Sequence, residues 1–142
     1  MEKEGKMTLP DGSGYVGELV NGIPHGKGKF TYPDGGSVEG DFVNGLLNGK
    51  GKQIISGVGT YEGDIVNNEF HGKGKMTWAD DGTIYEGDFF KMNIHGKGKM
   101  TYPDGRVYIG DFVEMKRQGK GKMTYPDGKV EEGNWKDGNF IG

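Results

Sequence analysis

A chain of 142 residues with 30 glycines, 32% hydrophobic residues and a formal charge of −3 has the length of one domain but not the composition of an ordinary globular one. Collagen is excluded because glycine does not fall at every third position and only 5 prolines occur, and disorder because aromatic residues make up 11% of the chain at regular intervals. Without cysteine there is no disulfide framework and no thiolate metal site, and the mild negative charge gives no overall pull toward nucleic acid or an anionic membrane. The polar start, Met1-Glu2-Lys3-Glu4, and the lack of an apolar run long enough for a spanning helix predict a soluble cytoplasmic protein.

Internal repetition organises the rest. Gly-Lys-Gly-Lys starts at Gly26, Gly49, Gly72, Gly96 and Gly119, at spacings of 23, 23, 24 and 23 residues. In chain order, residues 1–14 are a half repeat, in which Gly5-Lys6-Met7-Thr8-Leu9-Pro10-Asp11-Gly12 is the second half of a unit. Full repeats are predicted over residues 15–37, 38–60, 61–84, 85–107 and 108–130, and residues 131–142 form another first half. The one-residue excess falls at Asp80-Asp81, inside a turn, where insertion is tolerated best. The second full repeat departs from the pattern. It begins with Val38 instead of Tyr, carries Gln53 where Met or Phe is usual, and has Ile55 before Ser56-Gly57-Val58-Gly59 in place of an aromatic and Pro-Asp-Gly. A local bend or a specific contact is expected there. Neither end reads as a polar cap, so the sequence reads as a piece of a longer protein or as one that stacks on something else.

Each half-unit alternates with period two, which predicts strands. In Tyr61-Glu62-Gly63-Asp64-Ile65, one face takes Tyr61, Gly63 and Ile65, and in Gly72 to Trp78 one face takes Gly72, Gly74, Met76 and Trp78. Folding the halves as a hairpin gathers rings and glycines on one side and sets Glu62 and Asp64 beside Lys73 and Lys75 on the other. The missing glycine side chains leave room for a neighbouring ring to lie over the backbone. Pro-Asp-Gly, as at Pro33-Asp34-Gly35 and Pro103-Asp104-Gly105, supplies the turn between units. The expected fold is all-β: an elongated, twisted, single-layer antiparallel meander of hairpin repeats, about 55–60 Å long, with an open edge at each end that favours self-association.

Tyr85-Glu86-Gly87-Asp88-Phe89, followed by His95-Gly96-Lys97-Gly98 and the turn at Asp104-Gly105, resembles the MORN (membrane occupation and recognition nexus) repeat, and the likeness covers essentially the whole chain. The resemblance implies an extended β-array of the kind found in junctophilins, plant phosphatidylinositol-phosphate kinases, ciliary radial-spoke head proteins and apicomplexan cytoskeletal scaffolds. Their shared theme is the placing of other components at membranes or cytoskeleton.

Catalytic chemistry finds little footing in the residues. His25, His71 and His95 occupy one slot of three repeats, and copies about 10 Å apart cannot share a metal ion. Gly-Lys-Gly-Lys lacks the spacing of a phosphate-binding loop. Paired carboxylates such as Glu39 with Asp41 or Glu86 with Asp88 face lysines, the reverse of what a general acid needs. We therefore expect no catalytic site, no metal and no cofactor. Nucleic acid is not expected as a ligand either, because rings and lysines lie on opposite faces.

Two surfaces remain. The aromatic face, with Tyr15, Tyr32, Phe42, Tyr61, Trp78, Tyr85, Phe89, Tyr102, Phe112, Tyr125 and Trp135, predicts a site for a partner helix, an extended segment or a second copy of the chain. The lysine stripe, Lys27/Lys29, Lys50/Lys52, Lys73/Lys75, Lys97/Lys99 and Lys120/Lys122, predicts as its alternative a peripheral module on anionic phospholipid. The leading expectation is a non-enzymatic scaffold in a cytoskeletal, ciliary or membrane-contact assembly. A third is the regulatory array of a larger enzyme such as a phosphatidylinositol-phosphate kinase.

Overall fold

A computed structural model describes residues 2–142 as strands joined by turns, with no helix among them. The strands are β1 (Glu2–Thr8), β2 (Gly14–Val20), β3 (Ile23–Thr31), β4 (Ser37–Val43), β5 (Leu46–Ile55), β6 (Gly59–Val66), β7 (Glu69–Trp78), β8 (Ile84–Phe90), β9 (Asn93–Thr101), β10 (Val107–Val113), β11 (Lys116–Thr124), β12 (Val130–Lys136) and β13 (Asn139–Phe140). They pair antiparallel in chain order as one open sheet, the expected meander.

The repeat's cohesion starts with a tyrosine and two glycines. Gly63 of β6 pairs with Gly74 of β7, and the Tyr61 ring lies across them, so that a Cβ on Gly74 would overlap the ring. The same overlap awaits a Cβ on Gly28, Gly98 or Gly121, beneath Tyr15, Tyr85 and Tyr108. All four rings are fully buried. Burial requires a partner for each hydroxyl. Tyr61 Oη donates to the Asp64 carbonyl at 2.7 Å, Tyr15 to Glu18 at 2.8 Å, Tyr85 to Asp88 at 2.9 Å and Tyr108 to Asp111 at 3.0 Å.

Rings also join one unit to the next. Tyr61 meets Phe89 edge-on at 5.0 Å, Tyr85 meets Phe112 at 5.2 Å, and Tyr108 meets Trp135 at 5.2 Å. Edge-to-face contacts of this kind contribute about 0.5–1.5 kcal/mol beyond the area they bury. The spine of the buried face alternates Tyr61, Met76, Tyr85, Met100, Tyr108 and Met123 across consecutive strands. In the divergent second repeat the ladder runs on unbroken, with Val38 opposite Gln53 and Gln53 opposite Tyr61. Leu47 and Ile65 there cover Gly51 in place of a ring.

The structure adds a bulge that alternation alone does not reveal. After Gly63↔Gly74 the next pair is Ile65↔Phe70, so Asp64 faces the three residues His71-Gly72-Lys73. Gly72 takes φ 110°, a conformation suited to glycine. The bulge removes the Lys73 amide from the ladder, and Asp64 Oδ2 accepts it at 2.9 Å. Glu18, Asp88 and Asp111 hold the amides of Lys27, Lys97 and Lys120 in the same way. This revises the expected hairpin pairing, because the Asp64 carboxylate meets the backbone of Lys73 while its ion pair is with Lys50 of the preceding repeat.

At the opposite strand ends, the turn aspartates close an Asx turn on the amide two residues on. Asp34 accepts from Gly36 at 2.8 Å and Asp104 from Arg106 at 3.0 Å. Because the ring leaves no volume above the glycine pair, Gly74→Ala should lower the chemical-denaturation midpoint by the equivalent of at least ~1–3 kcal/mol. Gly14→Ala, whose Cβ would find its nearest neighbour at 3.5 Å, should stay within ~0.5 kcal/mol of the parent. Equal midpoints for the two variants would contradict the packing described.

Candidate functional site

The sheet offers two faces. On the charged face, Lys27 pairs with Asp41 at 2.7 Å and Lys97 with Asp111 at 2.6 Å, and Lys50–Asp64 and Lys73–Asp88 repeat the contact. Asp64, Asp88 and Asp111 thus each tie the preceding repeat's lysine to their own bulge. The second lysines, Lys29, Lys52, Lys75, Lys99 and Lys122, alternate across strands with Glu39, Glu62, Glu86 and Glu132. Two aliphatic residues interrupt that row. Val16 lies beside Lys29 and Ile109 between Lys99 and Lys122, and both are more than half exposed. Lys120 faces Asn134 and, among the described residues, makes no ion pair.

The three histidines are joints between repeats. Nδ1 of His25 accepts the Asn44 amide at 3.2 Å, and His71 and His95 accept those of Lys91 and Glu114 at 3.4 Å. Asn48 fills the same slot and accepts the Asn67 amide at 3.0 Å. Among the described residues no group of three or more His, Cys, Asp or Glu side chains is placed to hold a metal ion.

On the aromatic face, the structure divides the predicted residues into two classes. Tyr15, Phe42, Tyr61, Tyr85, Phe89, Phe112 and Trp135 are buried in the chain's own core. These rings are therefore closed to a partner, because stacking of the repeats against one another covers them. Tyr32 is exposed, and Trp78, Tyr102 and Tyr125 are half-buried at the strand ends that lead into the turns between repeats. They form one rim.

The facing rim comes from the hairpin turns. A cavity of about 190 Å³ is lined both by Val58 and Trp78 from the first rim and by Met92 and Met115 from the second, so the sheet curls into a trough. Ile55 lines it too, where the other repeats carry Tyr32, Trp78, Tyr102 or Tyr125. Met115 also lines a second cavity, of about 330 Å³, with Tyr102, Arg106 and Arg117. Sequence reasoning passed over Met92, Met115 and Arg117. Superposing the repeats residue by residue would have exposed Arg117, because its slot holds Leu47, Phe70 and Ile94 in earlier units.

The model of the MORN repeat matches residues 15–37, 39–56, 61–83, 85–105 and 108–130, more than half of the chain. The chain belongs to the MORN-repeat family. A search of curated proteins finds no match. The matched MORN units all lie in the one antiparallel sheet just described, and the repeat is in general a non-catalytic module.

The charged ladder and the buried phenols bound the pH range of this MORN array. Ion pairing with Lys50, Lys73 and Lys97 holds the Asp64, Asp88 and Asp111 carboxyls below the usual range. That stability is present above the unfolded carboxylate value, near 3.9, and is lost as pH falls through the lower folded values. Burial pushes Tyr61 and Tyr85 up, and Tyr108 up to about 12. A phenol whose folded value is raised contributes stability below about pH 10 that is lost as pH rises through the folded values. Denaturation midpoints should therefore be flat between about pH 5 and pH 9, falling on either side. The share of tyrosinate absorbance from Tyr61, Tyr85 and Tyr108 should lag free tyrosine until the sheet unfolds, and complete titration in step with free tyrosine would contradict the burial.

Proposed function

We propose that this chain is a non-catalytic scaffold that binds a protein segment in its trough. The observation that carries the reading is the pair of accessible rims, Tyr32, Trp78, Tyr102 and Tyr125 on one side and Met92 and Met115 on the other, above a floor of rings that the chain already buries. Half-accessible Trp, Tyr and Met are the side chains favoured in interfaces, since they bury much area at modest entropic cost. Work in a cytoskeletal, ciliary or membrane-contact assembly fits such a scaffold, with the cytoplasm as its compartment.

The lysine stripe supports the membrane reading less well. Four of its lysines are tied to aspartates of the next repeat, and most of the others alternate with glutamates. Opposite charges interleaved this closely cancel within about one Debye length, roughly 10 Å.

Co-sedimentation with phosphoinositide-containing and neutral vesicles over a salt series tests the choice. At physiological ionic strength we expect the chain to stay in the supernatant with both. Salt-sensitive pelleting with the anionic vesicles, abolished by Lys99→Gln with Lys122→Gln, would make the charged face the functional one. The rim variant Trp78→Ser with Tyr102→Ser should leave such vesicle behaviour unchanged.

A further inference from the structure

Two features of the trough go beyond what holding the sheet together requires. The first is backbone strain at its rim. The hairpin turns place their second residue in the left-handed region, and Gly22, Gly45 and Gly138 suit it at φ 76°, 86° and 84°, as does Asn68 at 69°, a residue type that tolerates it. Met92 and Met115 hold the same conformation at φ 72° and 74°, where a side chain is disfavoured. Their sulfurs reach back to the amides of Phe70 and Ile94, yet both methionines stay 42% and 47% exposed. Strain kept for an exposed apolar side chain points to a use for that side chain.

The second feature is Arg117. It stands in a row whose other members, Pro24, Leu47, Phe70, Ile94 and Phe140, are all apolar, with Leu47, Phe70 and Ile94 buried. Its guanidinium lies 5.6 Å from the Tyr102 ring and 5.3 Å from the Trp135 ring. Nη1 donates to Tyr102 Oη at 2.8 Å and Nη2 to the Gly138 carbonyl at 2.6 Å, both neutral acceptors, while Nε is buried without a partner. Among the described residues Arg117 forms no ion pair. Arg106 is bound to Asp104 at 2.7 Å, and Glu131 accepts a hydrogen bond from Tyr125. A cation that lines an open cavity and is held only by aromatic faces and neutral oxygens is set to receive a carboxylate.

We propose that the trough selects a protein segment bearing a large apolar side chain, seated between Trp78 and the methionines, with an acidic side chain close by in sequence that pairs with Arg117. The two subsites are contiguous, since Met115 lines both cavities. The divergent second repeat widens the apolar subsite by offering Ile55 where a ring would stand. Charge complementarity with Arg117 is what specifies the acid. The inference rests on the trough being the protein-binding face, and the experiment separates the two claims.

A random linear peptide library displayed on phage, selected against the full chain, supplies the probe. Enriched peptides should pair Leu, Met, Phe or Trp with Asp or Glu a few positions away. Exchanging that Asp or Glu for Asn or Gln should weaken binding about ten- to a hundredfold. Arg117→Leu, which restores the residue type of the sister repeats, should give the same loss while the protein melts no lower than the parent. Met92→Gly with Met115→Gly should weaken every trough-binding peptide. Peptides that depend on the methionines but bind Arg117→Leu and the parent equally would overturn the acidic subsite and leave the trough intact. Peptides indifferent to the methionines, or no enrichment at all, would overturn the inference together with the trough reading beneath it.

Discussion

The structure depends on one contact, a tyrosine ring laid flat over a pair of glycines on adjacent strands. A lone hairpin is marginal in water because neither of its faces is covered. In this sheet the tyrosine covers its own hairpin's backbone, and its edge is covered by the ring of the following repeat. The hydroxyl then needs an acceptor and finds the carbonyl of the residue three positions on. That fixes where the bulge falls, and the bulge in turn frees an amide that the adjacent acid must satisfy. Tyr-x-Gly-Asp and Gly-Lys-Gly-Lys are two halves of one steric arrangement.

That arrangement also decides how the two faces differ in charge and accessibility. Since the aspartate holds a bulge amide with one oxygen and a lysine of the preceding repeat with the other, the charged face is largely self-satisfied. Exposed ion pairs add little stability, but they fix register and consume the free positive charge a lipid headgroup would need. The other face is open only along its rims. The core rings serve the fold, and the rim residues stay accessible.

Much of the fold was legible in the sequence. The spacing of Gly-Lys-Gly-Lys, the alternation in Tyr61 to Ile65 and the turn residues lead to an antiparallel meander without any coordinates, and the steric role of Gly74 beneath a ring follows from its face. The site was less legible, for two physical reasons. Alternation assigns a residue to a face but cannot say how far neighbouring repeats cover it, so Tyr85 and Tyr102 look alike in sequence although the first is buried and the second half-open. The bulge takes Lys73 out of register with Asp64, whose ion pair is instead with Lys50, directly opposite it on the preceding strand. Arg117 and the two methionines carry no motif, and only their departure from the sister repeats distinguishes them.

The central claim is that the tyrosine ring and the glycine beneath it act as one unit. It is tested most directly by a double-mutant cycle on Tyr85 and Gly98, read by chemical denaturation of the full chain. Gly98→Ala should be costly in the parent and should lose most of its cost when Tyr85→Leu has already removed the ring, a coupling of at least ~1 kcal/mol. Additive effects, agreeing within about 0.5 kcal/mol, would contradict the account and assign the glycine to backbone conformation alone.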